Sequence, residues 1–419
     1  MNVLLIGLNK SWAETLNAKN QINLFIIEEP DLWENKNLSK NDFPNIKDIK
    51  LLEYQFKSQS ELNKIISYAK SIKADVIIPG LEYSVAPASY VASVLNLPNL
   101  GVNAANTLTN KHSLRERMKK TEVPQPRYKS VNTIDEIEDF FKGPIIIKPT
   151  NRQASAGVIK VYEKEEIEHS WNYSLGFNEG VNVAERDISG EFLVEELLIG
   201  QEVSTEVLVN RGEINFFNIT VKETVEGKFP VEIGHYLPGN FSKEVEKNLR
   251  LYMENLISEL DIHTGILHAE WIIVNDLPHL IECAGRAPGD YIFQMIRKAY
   301  DFCPYSAMLN ILMNEETKVN QKAKRGAAIT FLSSEENGCL KSIEGLNDIK
   351  ANTEVLNTAQ FVSIGDKVSV LNSSWDRIGM IMCSGNTGKD AFDNTQNNKQ
   401  MVRIEVDSLP EKEEFLYEH

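Results

Sequence analysis

Two glutamates interrupt apolar, strand-like sequence in GILHAEWIIVNDLPHLIECAGRAPGD, residues 265–290. A carboxylate is costly to bury in such surroundings, so Glu270 and Glu282 call for an explanation. With a hairpin turn centred on Asp276, Glu270 falls directly opposite Glu282 and both side chains share one face. Like charges in that relation repel unless a cation sits between them. Two oxygen donors on rigid strands, with positions left open for phosphate oxygens, suit Mg2+. The alternative is a pair of acids on a solvent-facing sheet.

Other stretches carry compatible chemistry. In IIIKPTNRQASAGV, Lys148 ends a β-branched strand, where an amine is costly without an anion. The loop after it, with Ala154, Ser155, Ala156 and Gly157, is small enough for backbone N–H groups to approach phosphates. It lacks the GxxxxGK[ST] order of a P-loop, and a plain hairpin turn with a surface lysine is the other reading. In FLVEELLIGQE, a strand ending in acids and a short connector can offer backbone groups to a purine edge. Glu202 there can accept from ribose hydroxyls, or these acids are ordinary surface. Lys111 lies on a basic helix face, which is commonly solvated. Glu232 and His235 have an ExxH spacing suited to binding an amine, too little to claim a metal. Arg286, four residues after Glu282, can stabilise negative charge on a transferring phosphate or make a structural ion pair. Asp290 either selects a polar or cationic ligand or caps a helix beginning at Tyr291.

These residues need a scaffold, and a chain of 419 residues should divide into two to four domains. With 42% hydrophobic and 25% charged residues, its composition is that of a soluble globular protein. A net charge of −16 argues against nucleic-acid binding and docking on anionic membranes, while local lysines can still hold small anions. Four widely spaced cysteines give no zinc pattern and fit a reducing cytoplasm. The N-terminal MNVLLIGLNK reads as a first strand, not a signal peptide. No apolar run reaches a membrane span.

Strands at 3–7, 22–28 and 74–80 alternate with helices around 60–72 and 84–96, which implies a parallel, doubly wound sheet. Its first turn, GLNKSW, lacks a dinucleotide fingerprint. A basic helix spans 109–128, ended by a proline-flanked turn. Strand, small-residue loop and strand follow over 143–161. Strand sequence resumes over 192–209, in NFFNITVKE and in VEIGHYLP, then a helix over 242–260 leads to the hairpin. From about 325 short strands and turns suggest a small, mainly β appendage. The tail EKEEFLYEH is expected to fray.

Taken in order, TNKHSLRERMKKTEVPQPRY, GPIIIKPTNRQASAGV, FLVEELLIGQE and HAEWIIVNDLPHLIECAGR resemble the ATP-grasp ligase superfamily. LEYSVAPASYVASVLNLP resembles the end of its pre-ATP-grasp domain. GCLKSIEGL, IGDKVSVLNSSWDRIG and SGNTGKDAF resemble the C-terminal lobe of its amino-acid ligase branch. VEIGHYLP with ECAGRAPGD is most similar to bacterial L-amino-acid ligases, including the bacilysin-type dipeptide ligases. The resemblance implies an α/β chain with a Rossmann-like pre-ATP-grasp domain at 1–108 and an ATP-grasp domain at 109–320. The latter divides into an ATP part at about 125–200 and a metal and substrate part at about 201–320, and a β-rich lobe follows at 321–419.

The resemblance also implies roles. Lys111 and Lys148 would bind ATP phosphates, with Ser155 and Gly157 in the loop closing over them. Glu195 and the backbone near Glu196 and Leu198 would meet adenine, and Glu202 the ribose. Glu270 and Glu282 would hold one or two Mg2+ ions, with Mn2+ as a substitute. Glu232 and His235 would contact a substrate amino group, Arg286 the acyl phosphate or carboxylate, and Asp290 would lie near the acyl pocket. The family's E-x-N-x-R is here E-x-A-x-R, and Ala284 cannot coordinate a metal. The implied reaction activates an amino-acid carboxylate as an acyl phosphate, which an amine attacks. Its setting would be a cytoplasmic pathway such as antibiotic biosynthesis, with a homodimer as an assembly to consider. A related reading loads an amino acid such as glutamate onto an acyl carrier protein, and a third is a non-catalytic nucleotide-binding module.

Overall fold

The computed structural model describes residues 1–408 apart from 56–57, 178, 181–182, 185–189 and 226, so the tail expected to fray lies outside the described residues. The N-terminal sheet is wholly parallel, in the order Asp48–Leu51, Asn23–Glu28, Asn2–Ile6, Val76–Pro79. Side-chain alternation drives its burial on both faces. Val3, Leu5, Ile26 and Ile78 pack with Trp12 and Leu16 on one side. Leu4, Ile6, Ile27 and Ile77 meet Ile65, Ala69 and Val91 on the other. This is the doubly wound arrangement that the alternating pattern implies. Sequence reading misses the helix Lys10–Asn17, which Asn9 caps by accepting from the Trp12 amide. It also misses Asp48–Leu51, a four-residue strand with a single buried residue.

A four-stranded antiparallel sheet runs Tyr128–Val131, Phe192–Glu196, Ile145–Pro149, Ile159–Val161. The basic helix is shorter than expected, Lys111–Met118, started by Asn110 accepting from the Ser113 amide. Its Arg115 turns inward and is fully buried. That guanidinium donates to both Glu195 oxygens, at 2.8 and 3.3 Å, and to the carbonyl of Ile281 at 2.8 Å. One side chain thereby ties this helix to the four-stranded sheet and to the hairpin.

The eight-stranded antiparallel sheet dominates the molecule. Its order is Leu277–Ala284, Thr264–Val274, Gln201–Asn210, Glu213–Thr224, Glu232–Leu237, Gly326–Leu332, Gly379–Gly385, Val355–Gln360. Its last three strands come from the stretch expected to form a small, mainly β appendage. They extend the central sheet, because Gly326–Leu332 pairs directly with Glu232–Leu237. Among the described residues Lys367–Val368, Gly338–Glu344 and Arg403–Ser408 form a small sheet of their own. The C-terminal stretch also holds a helix, Gly388–Lys399, started by a Thr387/Asp390 capping box. Few apolar residues mark its inner face, so its periodicity is faint in the sequence. Among the described residues no helix is long and apolar enough to cross a membrane.

The hairpin shows how Glu270 and Glu282 come to be opposed. Asn275 and Asp276 both have positive φ, as a two-residue type I′ turn requires, and Val274 pairs with Leu277. That register alone would set Glu270 against Ile281. A bulge intervenes: Trp271 pairs with Leu280, Ile281 is passed over, and Glu270 pairs with Glu282. The Ile281 carbonyl, released from the ladder, is the one that Arg115 satisfies.

Two stability outcomes are expected. Trp271 is fully buried, donates to Thr205 Oγ1 at 3.1 Å and stacks on Tyr252. Trp271→Ala should cost about 3–5 kcal/mol, read as a lower urea midpoint. Burial works against the Glu195 charge, but Arg115 and Lys148 outweigh it and hold its carboxyl below the usual range. The stability it contributes is therefore present above the unfolded carboxylate pKa and is lost as pH falls through the depressed native value. Arg115→Met should cost about 3 kcal/mol or more. In pH-dependent unfolding, the acid-side loss owed to Glu195 should be smaller than in the unaltered chain, because its native pKa moves back toward the unfolded value.

Candidate active site

A cavity of about 1060 Å3 opens between the four-stranded and eight-stranded sheets. Besides these sheets, the turn after Val76–Pro79 and the turn at Ser374–Trp375 contribute to its wall. Its chemistry divides into a basic and an acidic part.

At the basic part, Lys148 is almost wholly buried and meets Glu195 Oε2 at 2.7 Å. Burial pulls its amine below the usual lysine range, with Arg115 and Lys111 adding to the effect against Glu195. Lys111 donates to the Arg152 carbonyl at 2.6 Å and meets Glu282 Oε1 at 3.0 Å. It therefore joins the small-residue loop to the hairpin. Ala154 and Ser155, both with positive φ, line the cavity, and Ser155 Oγ reaches the Pro230 carbonyl at 3.4 Å.

Three expected positions fall elsewhere. Gly157 lies behind the lining, with φ of +70° and Pro149 so close that a Cβ would sit 3.1 Å from its Cγ. Glu195 is not in the wall either, since both its oxygens are engaged by Arg115 and Lys148. Glu196 accepts from the Arg127 amide at 2.8 Å, away from the cavity. The connector meets the space one step later, through Leu197, Leu198, Ile199 and Gly200. The strand holds both acids back from this lining, Glu195 as the counter-ion of Arg115 and Lys148 and Glu196 on the Arg127 amide.

At the acidic part, one face of the large sheet is polar across three neighbouring strands. Glu202, Ser204 and Glu206 alternate on one strand, Asn218, Thr220 and Lys222 on the next, and His268 and Glu270 on the third. Register sets Glu206 beside both Asn218 and His268, and Glu270 beside Ser204. Glu206 is fully buried and accepts from Ser204, Asn218 and Thr220 at 2.6–2.7 Å, with His268 Nδ1 at 3.1 Å. His268 Nε2 lies 3.5 Å from Glu270. Burial lowers the basicity of His268, but Glu206 and Glu270 raise it further than burial takes it down.

Lys222 is the centre of this face. It is buried and contacts Glu270, Glu232 Oε1 at 3.1 Å and Glu202 Oε1 at 3.9 Å. Burial disfavours its charge, yet the three carboxylates hold its amine well above the lysine range. Burial likewise acts against Glu270, but Lys222 and His268 hold its carboxyl well below the usual range. Glu202 moves the other way, to about 7, because burial and the charges of Glu232 and Glu270 outweigh Lys222. Sequence reading misses Lys222, although polar residues at 218, 220 and 222 inside an otherwise apolar strand are its signal.

Glu232, His235 and Asp290 meet at one end of the wall, His235 Nε2 lying 3.3 Å from Asp290 Oδ2. Asp290 does not cap the following helix. Tyr291 holds the cap position of Ile292–Tyr300 in a left-handed conformation, without a side-chain bond. Asp290 instead accepts from Arg377 Nη1 at 2.8 Å. Burial works against its charge, and Arg377 with His235 holds its carboxyl well below the aspartate range. Arg286 lines the cavity and donates from Nε to Glu82 Oε2 at 2.7 Å. Glu82 and Arg377, from distant parts of the chain, carry no local signature and were not singled out.

The cavity therefore gathers Lys111, Lys148, Ser155, Leu198, Glu202, Glu232, His235, Glu270, Glu282, Arg286 and Asp290, and leaves out Gly157, Glu195 and Glu196. Glu270 and Glu282 reach it from opposed strand positions, a pair of hard oxygen donors that fits Mg2+. Ala284 lines it with a methyl group and offers no donor.

Residues 141–294 match the ATP-grasp domain, and residues 330–407 match the L-amino acid ligase C-terminal domain 2. The chain is 24% identical over 268 residues to alanine–anticapsin ligase of Bacillus subtilis (strain 168), covering 60% of this chain and 56% of that protein. It thus spans little more than half the length of that relative. It is also 21% identical over 324 residues to an L-arginine-specific L-amino acid ligase of Bacillus subtilis, covering 74% of this chain and 76% of that one. The fold is similar to the crystal structure of an L-amino acid ligase from Bacillus licheniformis, with a TM-score of 0.82 at 18% identity over 97% of this chain and 99% of that chain. The chain therefore combines an ATP-grasp domain with an L-amino acid ligase C-terminal domain.

Proposed function

We propose that this protein is an ADP-forming ligase that activates an amino-acid carboxylate as an acyl phosphate and joins it to an amine. The observation that carries the reading is Glu270 opposed to Glu282 in the cavity that also holds Lys111, Lys148 and Arg286. Mg2+ bound by the two glutamates would offset triphosphate charge and align the phosphate for transfer.

Lys148 and Lys111 bind ATP phosphates in this scheme. Glu195 serves indirectly, since with Arg115 it fixes the position of the Lys148 amine. Ala154 and Ser155 turn the loop toward the phosphates, and the Leu197–Gly200 connector supplies backbone groups for the purine. Glu202 accepts from the ribose hydroxyls. Arg286, oriented by Glu82, stabilises charge on the acyl phosphate as the amine attacks. Glu232 and His235 hold the amino group of a substrate. No side-chain nucleophile is needed, because the bound carboxylate is itself the attacking group. Loop and connector close the reacting centre to water, which preserves an intermediate prone to hydrolysis.

Incubation with ATP, Mg2+ and pooled amino acids should release phosphate only when amino acids are present. Failure of any amino acid to stimulate release overturns the reading. Glu282→Ala should reduce that release by at least about a hundredfold, and a variant of undiminished activity would refute the role of the pair.

A further inference from the structure

One arginine reaches the acidic end of the cavity from outside the ATP-grasp match. Arg377 follows the short turn Ser374–Asp376, which a Ser373/Asp376 capping box fixes. It is 4% exposed. Nη1 donates to Asp290 Oδ1 at 2.8 Å, and Nη2 donates to the Glu232 carbonyl at 2.8 Å and Glu232 Oε2 at 3.3 Å. Its guanidinium lies 3.8 Å from the Phe331 ring centroid, a geometry that favours a cation over the ring face. The turn that carries it places Ser374 and Trp375 in the cavity wall.

The charges that face this end are few. Glu232 and Asp290 are the acids, Arg377 the cation they share, and His235 bonds Asp290. Lys222 approaches Glu232 from the other side but is also committed to Glu270. Without Arg377, two carboxylates would look into the cavity here, an arrangement that attracts a cationic side chain. With it, Asp290 is neutralised and Glu232 is held by two cations. The remaining surface is that of Trp375, Ala287, Pro288 and Ile292.

Resting on the ligase reading above, we propose that Arg377 is a specificity-determining residue: by neutralising Asp290 it makes this end of the cavity accept amino acids with uncharged side chains and reject lysine and arginine. It acts by positioning and by charge, without touching the reacting atoms.

Selectivity tests this separately from turnover. Phosphate release and calorimetric binding are measured on the full chain with ATP, Mg2+ and L-alanine, L-leucine, L-lysine or L-arginine. The unaltered chain should prefer the uncharged amino acids in both measurements. Arg377→Met keeps an apolar stem against Phe331 and removes the charge, and should raise the lysine-to-leucine ratio of kcat/KM and of affinity by about tenfold or more. Arg377→Lys should restore the original ratio. An unchanged ratio in Arg377→Met, with all substrates weakened together, would mean a purely structural arginine and overturn the proposal. So would a preference for lysine or arginine in the unaltered chain. If Arg377→Met does not fold, Asp290→Asn is decisive, since it must lower the lysine-to-leucine ratio, and no change there refutes the assignment. Loss of amino-acid-dependent phosphate release with selective binding intact would count against the ligase reading alone.

Discussion

A lysine amine with almost no access to water, surrounded by three glutamates, is the constraint on which this site depends. Desolvating four charged groups together is costly, and Coulomb attraction offsets that cost only with close geometry and further partners. Lys222 cannot balance Glu202, Glu232 and Glu270 alone. Arg377 takes a share of Glu232 and His268 a share of Glu270. Glu202 is the acid left with the weakest hold, and its carboxyl rises to about 7. These groups come from four strands and one turn, so the charge balance requires the three strands of the polar face, the Glu232–Leu237 strand and the turn at Ser374–Asp376 to be assembled together.

The opposite imbalance lies across the cavity, where Arg115 and Lys148 share Glu195 and Lys111 shares Glu282. One wall therefore has cations in excess and the other has anions. A ligand with a polyanionic end and an ammonium end has only one favourable orientation in such a space. The excess on each side is built from buried groups, which salt screens far less than surface charge.

Much of this was legible in the sequence and some was not, for identifiable reasons. The parallel sheet follows from strand–helix alternation, and the pairing of Glu270 with Glu282 from their distance to the turn. That pairing was reached by a simplified path: the turn lies at Asn275–Asp276, and the bulge at Ile281 supplies the missing residue. Glu195 and Glu196 follow a strand motif faithfully, yet Glu195 is drawn inward by Arg115, eighty residues earlier in the chain. Lys222 was hidden because its strand was read singly, while its meaning comes from Glu206 and His268 on neighbouring strands. Arg377 and Glu82 reach the site only through tertiary folding. The C-terminal strands looked like an appendage since nothing local reveals that Gly326–Leu332 pairs with Glu232–Leu237.

The bulge has a consequence for how this hairpin can vary. Strand side chains alternate between faces, so parity decides which of them reach the cavity. One residue gained or lost between Trp271 and Ile281 would turn Glu282 away from Glu270, however well every other contact survived. Side chains along the outer edge, such as Leu277 and His279, are free to drift under mutation. The length of the loop is not, and changes to it are tolerable only in pairs.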